Sequence, residues 1–271
     1  MKLNHLDGGD RCARPAIGSL CATWFLLFIA MQFVVVHVAL ADTERIEIDS
    51  GGWRLVGNLL IPDAEKTLAA VLMLNQAAGE RSAYDELARC LADRGIASLA
   101  LDLRGHGESI NLGRFVPGDV PRSPLIWDAE TDVLTAHRFL QQESRIEADR
   151  IAIVGASYSG EEMAEAGRSG VYAQAYVALS PGSFSQESIA GIDESQVPWL
   201  FVTSKNERFL HEITAAVREQ SQSVELLMVP GDRHASDILE ERDDLVERIA
   251  VWLEHQLAAS AAISEPGTMP Q

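Results

Sequence analysis

Residues 151–161 read Ile-Ala-Ile-Val-Gly-Ala-Ser-Tyr-Ser-Gly-Glu. Four apolar residues run directly into Gly155-Ala156-Ser157, and a segment rich in Ala, Glu and Met follows at once. That order demands a strand, a tight turn and a helix, with Ser157 at the apex. A serine hydroxyl is a poor nucleophile until it is held exposed beside a base, and a sharp turn between strand and helix does the exposing. The helix N-terminus also turns free backbone N–H groups toward the place where negative charge would develop. Serine beside glycine is common in turns, so the meaning of this one depends on the rest of the chain.

The rest of the chain repeats the alternation. Residues 45–48 and 53–61 read as a hairpin around Ser50-Gly51-Gly52. Apolar strands are expected at 69–74, 96–101, 151–154, 173–179, 199–203 and 224–229. Apolar residues at helical spacing predict helices over 84–94, stopped by Gly95, and over 127–142, 160–168, 209–220 and 236–259. Strands without polar alternation, separated by helices, imply a mostly parallel twisted sheet of about eight strands covered on both faces. The 271 residues suffice for one such α/β domain, expected over 42–259. Residues 260–271 lack an apolar period and are expected to be a disordered tail.

The first 41 residues read differently. Lys2, Arg11 and Arg14 make a basic leader diluted by Asp7 and Asp10, and residues 20–40 are apolar apart from Thr23, Gln32 and His37. Ala39-Leu40-Ala41 is a small-x-small site, and polarity begins abruptly at Asp42. This predicts an export signal cleaved after Ala41, giving a periplasmic or secreted protein. The alternative is an uncleaved anchor, since an apolar run of about 20 residues can span a bilayer. Cys21 follows Leu20, which is not small, and this argues against a lipoprotein attachment site.

Beyond the leader only Cys90 remains, so no disulfide can form within that part of the chain. The net charge of −18 disfavours binding to nucleic acid or to an anionic membrane surface. A membrane partner is expected only if the leader is retained. Neither a metal-ligand cluster nor a phosphate loop stands out, and no cofactor is expected.

In sheets of this kind, functional groups gather at the carboxyl ends of the strands. One strand ends at Ser157. The strand over 199–203 ends in Ser204-Lys205-Asn206-Glu207, and that over 224–229 in Pro230-Gly231-Asp232-Arg233-His234. These ends deliver a nucleophile, a carboxylate and an imidazole in that chain order.

Together these segments resemble the α/β-hydrolases, and more narrowly the dienelactone-hydrolase-like serine carboxylesterases, over about residues 44–257. The family's Gly-x-Ser-x-Gly elbow matches Gly155-Ala156-Ser157-Tyr158-Ser159, with Ser159 in place of the second glycine and Gly160 one step later. The family's Pro-x-Leu segment and its acid match Pro198-Trp199-Leu200 and Glu207, and its histidine loop matches Pro230 to His234. Asp102-Leu103-Arg104-Gly105-His106-Gly107-Glu108-Ser109 resembles a turn of the family that is mainly structural.

The resemblance implies a catalytic set of Ser157, Glu207 and His234, acting on an ester or amide through an acyl-enzyme. Asp193 is the alternative acid, because some relatives place the carboxylate after the preceding strand. His106 is the other histidine to consider, but it lies in the structural turn. The oxyanion hole implied is the backbone N–H of Tyr158 together with that of Ala77, in the loop Asn75-Gln76-Ala77-Ala78-Gly79. Relatives usually carry His-Gly where this chain has Asn75-Gln76. Gln76 lacks glycine's freedom at positive φ, so a differently shaped loop is expected. A purely backbone hole predicts that Gln76→Gly is tolerated.

The stretch 180–197 is too short for a large helical lid, so an open site for a small or accessible ester is expected. Residues 110–126, with Phe115 and nearby Trp127, are the expected pocket wall. The competing reading is a non-catalytic binding protein on the same scaffold, motivated by Ser159 and the altered 75–79 loop.

Overall fold

The strands that read as unbroken apolar runs are the ones buried on both faces. In the computed structural model, which describes residues 42–118, 123–169, 173–240 and 242–264, the third strand β3 (Leu68–Leu74) is buried at all positions but its first. Strands β4 (Ala97–Asp102), β6 (Tyr176–Leu179) and β7 (Trp199–Ser204) are buried throughout. The remaining strands are β1 (Asp42–Ser50), β2 (Trp53–Ile61), β5 (Ile146–Ala156) and β8 (Val224–Val229). They form one eight-stranded sheet in the order β1-β2-β4-β3-β5-β6-β7-β8. The β1–β2 hairpin pairs antiparallel within itself and with β4; every other pairing is parallel.

Successive side chains on a strand point to opposite faces, and the core divides accordingly. Leu72, Leu99, Ile153 and Phe201 face one side, against Val133, Ala136 and Leu140 of α3 (Glu130–Gln142) and Met163 of α4 (Tyr158–Arg168). Val71, Met73, Val154 and Val202 face the other, against Leu87 and Leu91 of α1 (Asp85–Ala92) and Ile249 and Leu253 of α7 (Asp243–Ser264).

Three elements differ from the sequence expectation. The helix expected over 127–142 is two pieces, the short α2 (Pro124–Trp127) and α3, because Ser123 starts a separate turn by accepting from the Leu125 N–H at 3.2 Å. The stretch 180–197 contains α5 (Gln186–Ser195), capped by Ser185 Oγ accepting from the Ser188 N–H at 3.0 Å. Only Ile189 and Ile192 supply its large buried apolar side chains, too few to show a period.

The third difference is at the end of the chain. The helix expected over 236–259 begins instead as a 3-10 turn, Ala235–Leu239, and α7 then runs to Ser264. It thus enters the stretch expected to be disordered. Ala258, Ala259, Ala261 and Ala262 are strong helix formers, which favours its continuation there. Between β7 and β8 lies α6 (Arg208–Gln220).

The expected leader, 1–41, and the last residues of the expected tail lie outside the described residues. Among the described residues no helix is long and apolar enough to cross a membrane.

Candidate active site

The apex of the strand–turn–helix is strained as such an elbow requires. Ser157 has φ 54° and ψ −121°, a backbone region that side-chain-bearing residues rarely adopt and that costs on the order of 1–3 kcal/mol. The neighbourhood holds it there. The Ser157 N–H donates to Leu179 O at 2.9 Å, tying the turn to the end of β6. Gly155 cannot carry a side chain, since a Cβ there would sit 2.7 Å from Ser159 O. Ser159, which replaces a glycine of the related motif, is wholly buried. Its hydroxyl accepts from the Ala156 N–H at 2.7 Å and lies 3.2 Å from Leu74 O. It therefore braces the turn. The close approach of α4 to the turn after β6 falls on Gly160, where a Cβ would lie 3.3 Å from Pro181 Cβ.

Glu207 follows β7 and immediately precedes α6. One carboxylate oxygen, Oε2, accepts from Ser204 N at 2.8 Å and from Ser180 Oγ at 2.8 Å. The other, Oε1, lies 2.7 Å from His234 Nδ1. His234 Nε2 lies 3.0 Å from Ser157 Oγ. A carboxylate only accepts, so Nδ1 carries the proton and Nε2 presents its lone pair to the serine hydroxyl. The histidine loop is fastened to the acid loop by Lys205 N to Val229 O at 2.8 Å, Asn206 N to Gly231 O at 3.0 Å and Ser204 Oγ to Arg233 O at 2.6 Å. Gly231, at φ 114°, makes the turn between β8 and the histidine. Glu207 is 8% exposed at its side chain and His234 46%. The acid is thus covered, and the imidazole stands open to an incoming molecule.

Asp193 is not brought to this place. It lies on α5, just before the start of β7, whereas Ser157, Glu207 and His234 follow the ends of parallel strands. The chain recrosses the sheet between Ser180 and Asp193, so the alternative acid reaches the opposite edge.

In the loop 75–79 Gln76 is not the residue at positive φ; Ala78 is, at 60°. Asn75 closes the loop, its Nδ2 donating to Gln76 O at 2.8 Å and its Oδ1 accepting from Leu103 N at 2.8 Å. Neither the Ala77 N–H nor the Tyr158 N–H donates to another described residue. The Gln76 side chain makes three hydrogen bonds: Nε2 donates to Asp237 Oδ1 at 3.0 Å, and Oε1 accepts from Ser236 N at 2.9 Å and Ser236 Oγ at 3.1 Å. A backbone-only view of this loop omits that side chain.

The turn after β4 is structural, as expected. Asp102 is wholly buried, pairs with the Arg81 guanidinium, and accepts from Arg81 N at 2.7 Å and Glu108 N at 3.0 Å. His106 of this turn stacks between Phe115, at 4.9 Å, and Tyr158, at 5.7 Å. Burial lowers its pKa, which keeps the ring neutral. Phe115 is therefore core, and Trp127 lines a separate surface depression with Trp53 and Arg104. Of the expected pocket wall, Phe115 thus packs inward and Trp127 faces this depression, and residues 119–122 lie outside the described residues.

Two groups beside the serine escaped sequence reasoning. A Cβ on Gly182 would lie 3.9 Å from Ser157 Oγ and 3.0 Å from Glu161 Oε1. Glu161 accepts from the Ser183 N–H, and burial pushes its carboxyl up to about 7. Its position one helical turn after Ser157 was the only available signal. Among the described residues, no group of three or more His, Cys, Asp or Glu could hold a metal ion.

No protein-family model matches the sequence, and no curated protein matches it. Solved structures do match. Dienelactone hydrolase from Anabaena variabilis aligns with a TM-score of 0.63 at 19% identity, covering 81% of this chain and 98% of its own. Est1E from Butyrivibrio proteoclasticus, with ferulic acid bound, aligns at 0.62 and 20%, covering 79% and 99%. A 2,6-dihydroxy-pseudo-oxynicotine hydrolase aligns at 0.63 and 18%, covering 81% and 69%. The chain has the α/β-hydrolase fold, of the kind seen in dienelactone hydrolase.

Proposed function

We propose that this protein is a serine hydrolase that cleaves a carboxylic ester. The observation that carries the reading is the unbroken chain from Glu207 Oε1 to His234 Nδ1, at 2.7 Å, and from His234 Nε2 to Ser157 Oγ, at 3.0 Å. The similarity in fold to esterases and dienelactone hydrolase supports the same class of reaction.

Ser157 Oγ attacks the acyl carbon while His234 Nε2 takes its proton, and Glu207 stabilises the imidazolium that forms. The negative charge on the carbonyl oxygen falls to the N–H groups of Tyr158, at the start of α4, and of Ala77. Collapse expels the alcohol, which receives the proton from His234. Water, deprotonated by the same nitrogen, then releases the acid from the serine. The open face of His234 and the single helix between β6 and β7 support a small or accessible ester as substrate.

The basic leader, apolar run and Ala39-Leu40-Ala41 site support export, with membrane anchoring by residues 20–40 as the alternative. Labelling with a fluorophosphonate probe tests the reaction. Adduct on Ser157, absent from Ser157→Ala, is expected. An unlabelled, folded protein would favour the non-catalytic binding scaffold.

A further inference from the structure

Gln76 belongs to the loop that offers Ala77 N–H to the substrate oxygen, yet its side chain reaches the segment just after His234. Its amide can be oriented in only one way. Asp237 Oδ1 accepts and therefore faces Nε2, at 3.0 Å; Ser236 N donates and therefore faces Oε1, at 2.9 Å. The Ser236 hydroxyl adds a third contact at 3.1 Å. Ser236 is 2% exposed, so its N–H and hydroxyl would lose a partner that water could not readily replace. The segment so held is strained: Ala235, between His234 and Ser236, has φ 55°. On its other side the Gln76 carbonyl accepts from Asn75 Nδ2 at 2.8 Å and from Gly79 N at 2.9 Å, which fixes the turn presenting Ala77.

Both halves of the proposed reaction therefore meet in one side chain. The oxyanion donor loop after β3 and the histidine loop after β8 come from distant parts of the chain, and Gln76 bridges them with three hydrogen bonds.

We propose that Gln76 is a positioning residue that sets the Ala77 N–H and the imidazole of His234 in register with each other, a role that rests on the serine hydrolase reading. Gln76 touches neither the substrate nor the reacting atoms. Its effect falls on the transition state, where the charged oxygen and the imidazolium coexist. In the ground state the ester needs neither group accurately placed. Misplacement by about 1 Å can cost on the order of 10²-fold in rate.

The experiment compares wild type, Gln76→Ala, Gln76→Glu and the double variant Gln76→Glu/Asp237→Asn, using a short-chain p-nitrophenyl ester with a thermal melt of each. Gln76→Ala should lower kcat by about 10- to 100-fold with KM changed less than about threefold. Gln76→Glu should also be impaired, because its carboxylate faces that of Asp237. The double variant exchanges donor and acceptor: the new amide donates to the new carboxylate, which still accepts from Ser236. It should recover most of the lost kcat. Unaltered kcat in folded Gln76→Ala, or a double variant no better than Gln76→Glu, overturns the positioning role. So does a loss of kcat that only follows the fraction unfolded. Wild-type protein that takes no fluorophosphonate at Ser157 overturns the hydrolase reading itself, and the role of Gln76 with it.

Discussion

Ser180 donates a 2.8 Å hydrogen bond to Glu207, joining the end of β6 to the carboxylate that follows β7. The same oxygen takes the Ser204 N–H, which leaves the other oxygen for His234. Glu207→Gln keeps the shape but can turn an amide N–H toward Nδ1, which favours the wrong tautomer. It should lower kcat by on the order of 10² or more. Ser180→Ala removes one of two supports and should cost about three- to tenfold. Asp193→Asn, at the far edge of the sheet, should leave kcat unchanged. Steady-state kinetics on one short ester check all three, and a crippled Asp193→Asn would reverse the assignment of the acid.

Ser157→Ala should remove nearly all hydrolysis while far-UV circular dichroism stays native, because the covalent route is lost and the turn is held by the Ser157 N–H and the Ser159 hydroxyl, not by the Ser157 hydroxyl. Ser159→Ala should do the reverse. Its buried hydroxyl satisfies the Ala156 N–H at 2.7 Å, so its loss should destabilise the fold by about 1–3 kcal/mol. Fluorophosphonate labelling should persist in that variant. Labelling that survives Ser157→Ala and disappears in Ser159→Ala would move the nucleophile.

The three strand ends were legible because a parallel sheet places every strand's carboxyl end on one edge. A reader who finds the apolar runs before Ser157, Glu207 and His234 has already brought the three together. What lay beyond reach were contacts with no local pattern. Gln76 and Asp237 are far apart in the chain, and nothing near either residue signals the other. Helix α5 was invisible because only Ile189 and Ile192 give it large buried apolar side chains. The burial of Phe115 was missed because its partner, His106, is polar and reads as a loop residue.

Glu162 should make the protein less stable as pH rises. It is 4% exposed, and burial, aided by nearby Glu161, Glu130 and Glu165, lifts its carboxyl from the ordinary 4.5 to about 8. Between those values the folded state keeps a proton that the unfolded chain has lost, so stability falls with increasing pH over that window. Glu162→Gln retains an acceptor for the Glu130 N–H, now met at 3.0 Å, and carries no charge. It should match wild type near pH 4 and exceed it near pH 9, by on the order of a few kcal/mol. Glu161, raised to about 7, should contribute a change of the same sign over a narrower pH window, hence smaller in total. Urea midpoints at the two pH values decide it; a variant weaker than wild type at pH 9 contradicts the prediction.

Protein recovered from its native host should begin at Asp42 and lie outside the cytoplasm, if the small-x-small site is read by a signal peptidase. N-terminal sequencing of fractionated cells tests this. An intact leader in the membrane fraction would instead mean an enzyme anchored by residues 20–40.

Substrate size should be set beside Gly182. An added methyl there would stand 3.9 Å from Ser157 Oγ and 3.0 Å from Glu161 Oε1, in the space that a bound ester must share. The β6–β7 connection carries only α5 and no large cover, so nothing there would enclose a long chain. Short acyl p-nitrophenyl esters should therefore turn over faster than long ones. Gly182→Ala should reduce kcat/KM for branched or aromatic acyl groups by at least tenfold, and for acetyl by much less. That ratio separates crowding from general damage, since a distorted elbow would slow all esters alike. A wild-type preference for acyl chains of about twelve carbons or more would show that the site extends into a groove and is not bounded by the turn after β6.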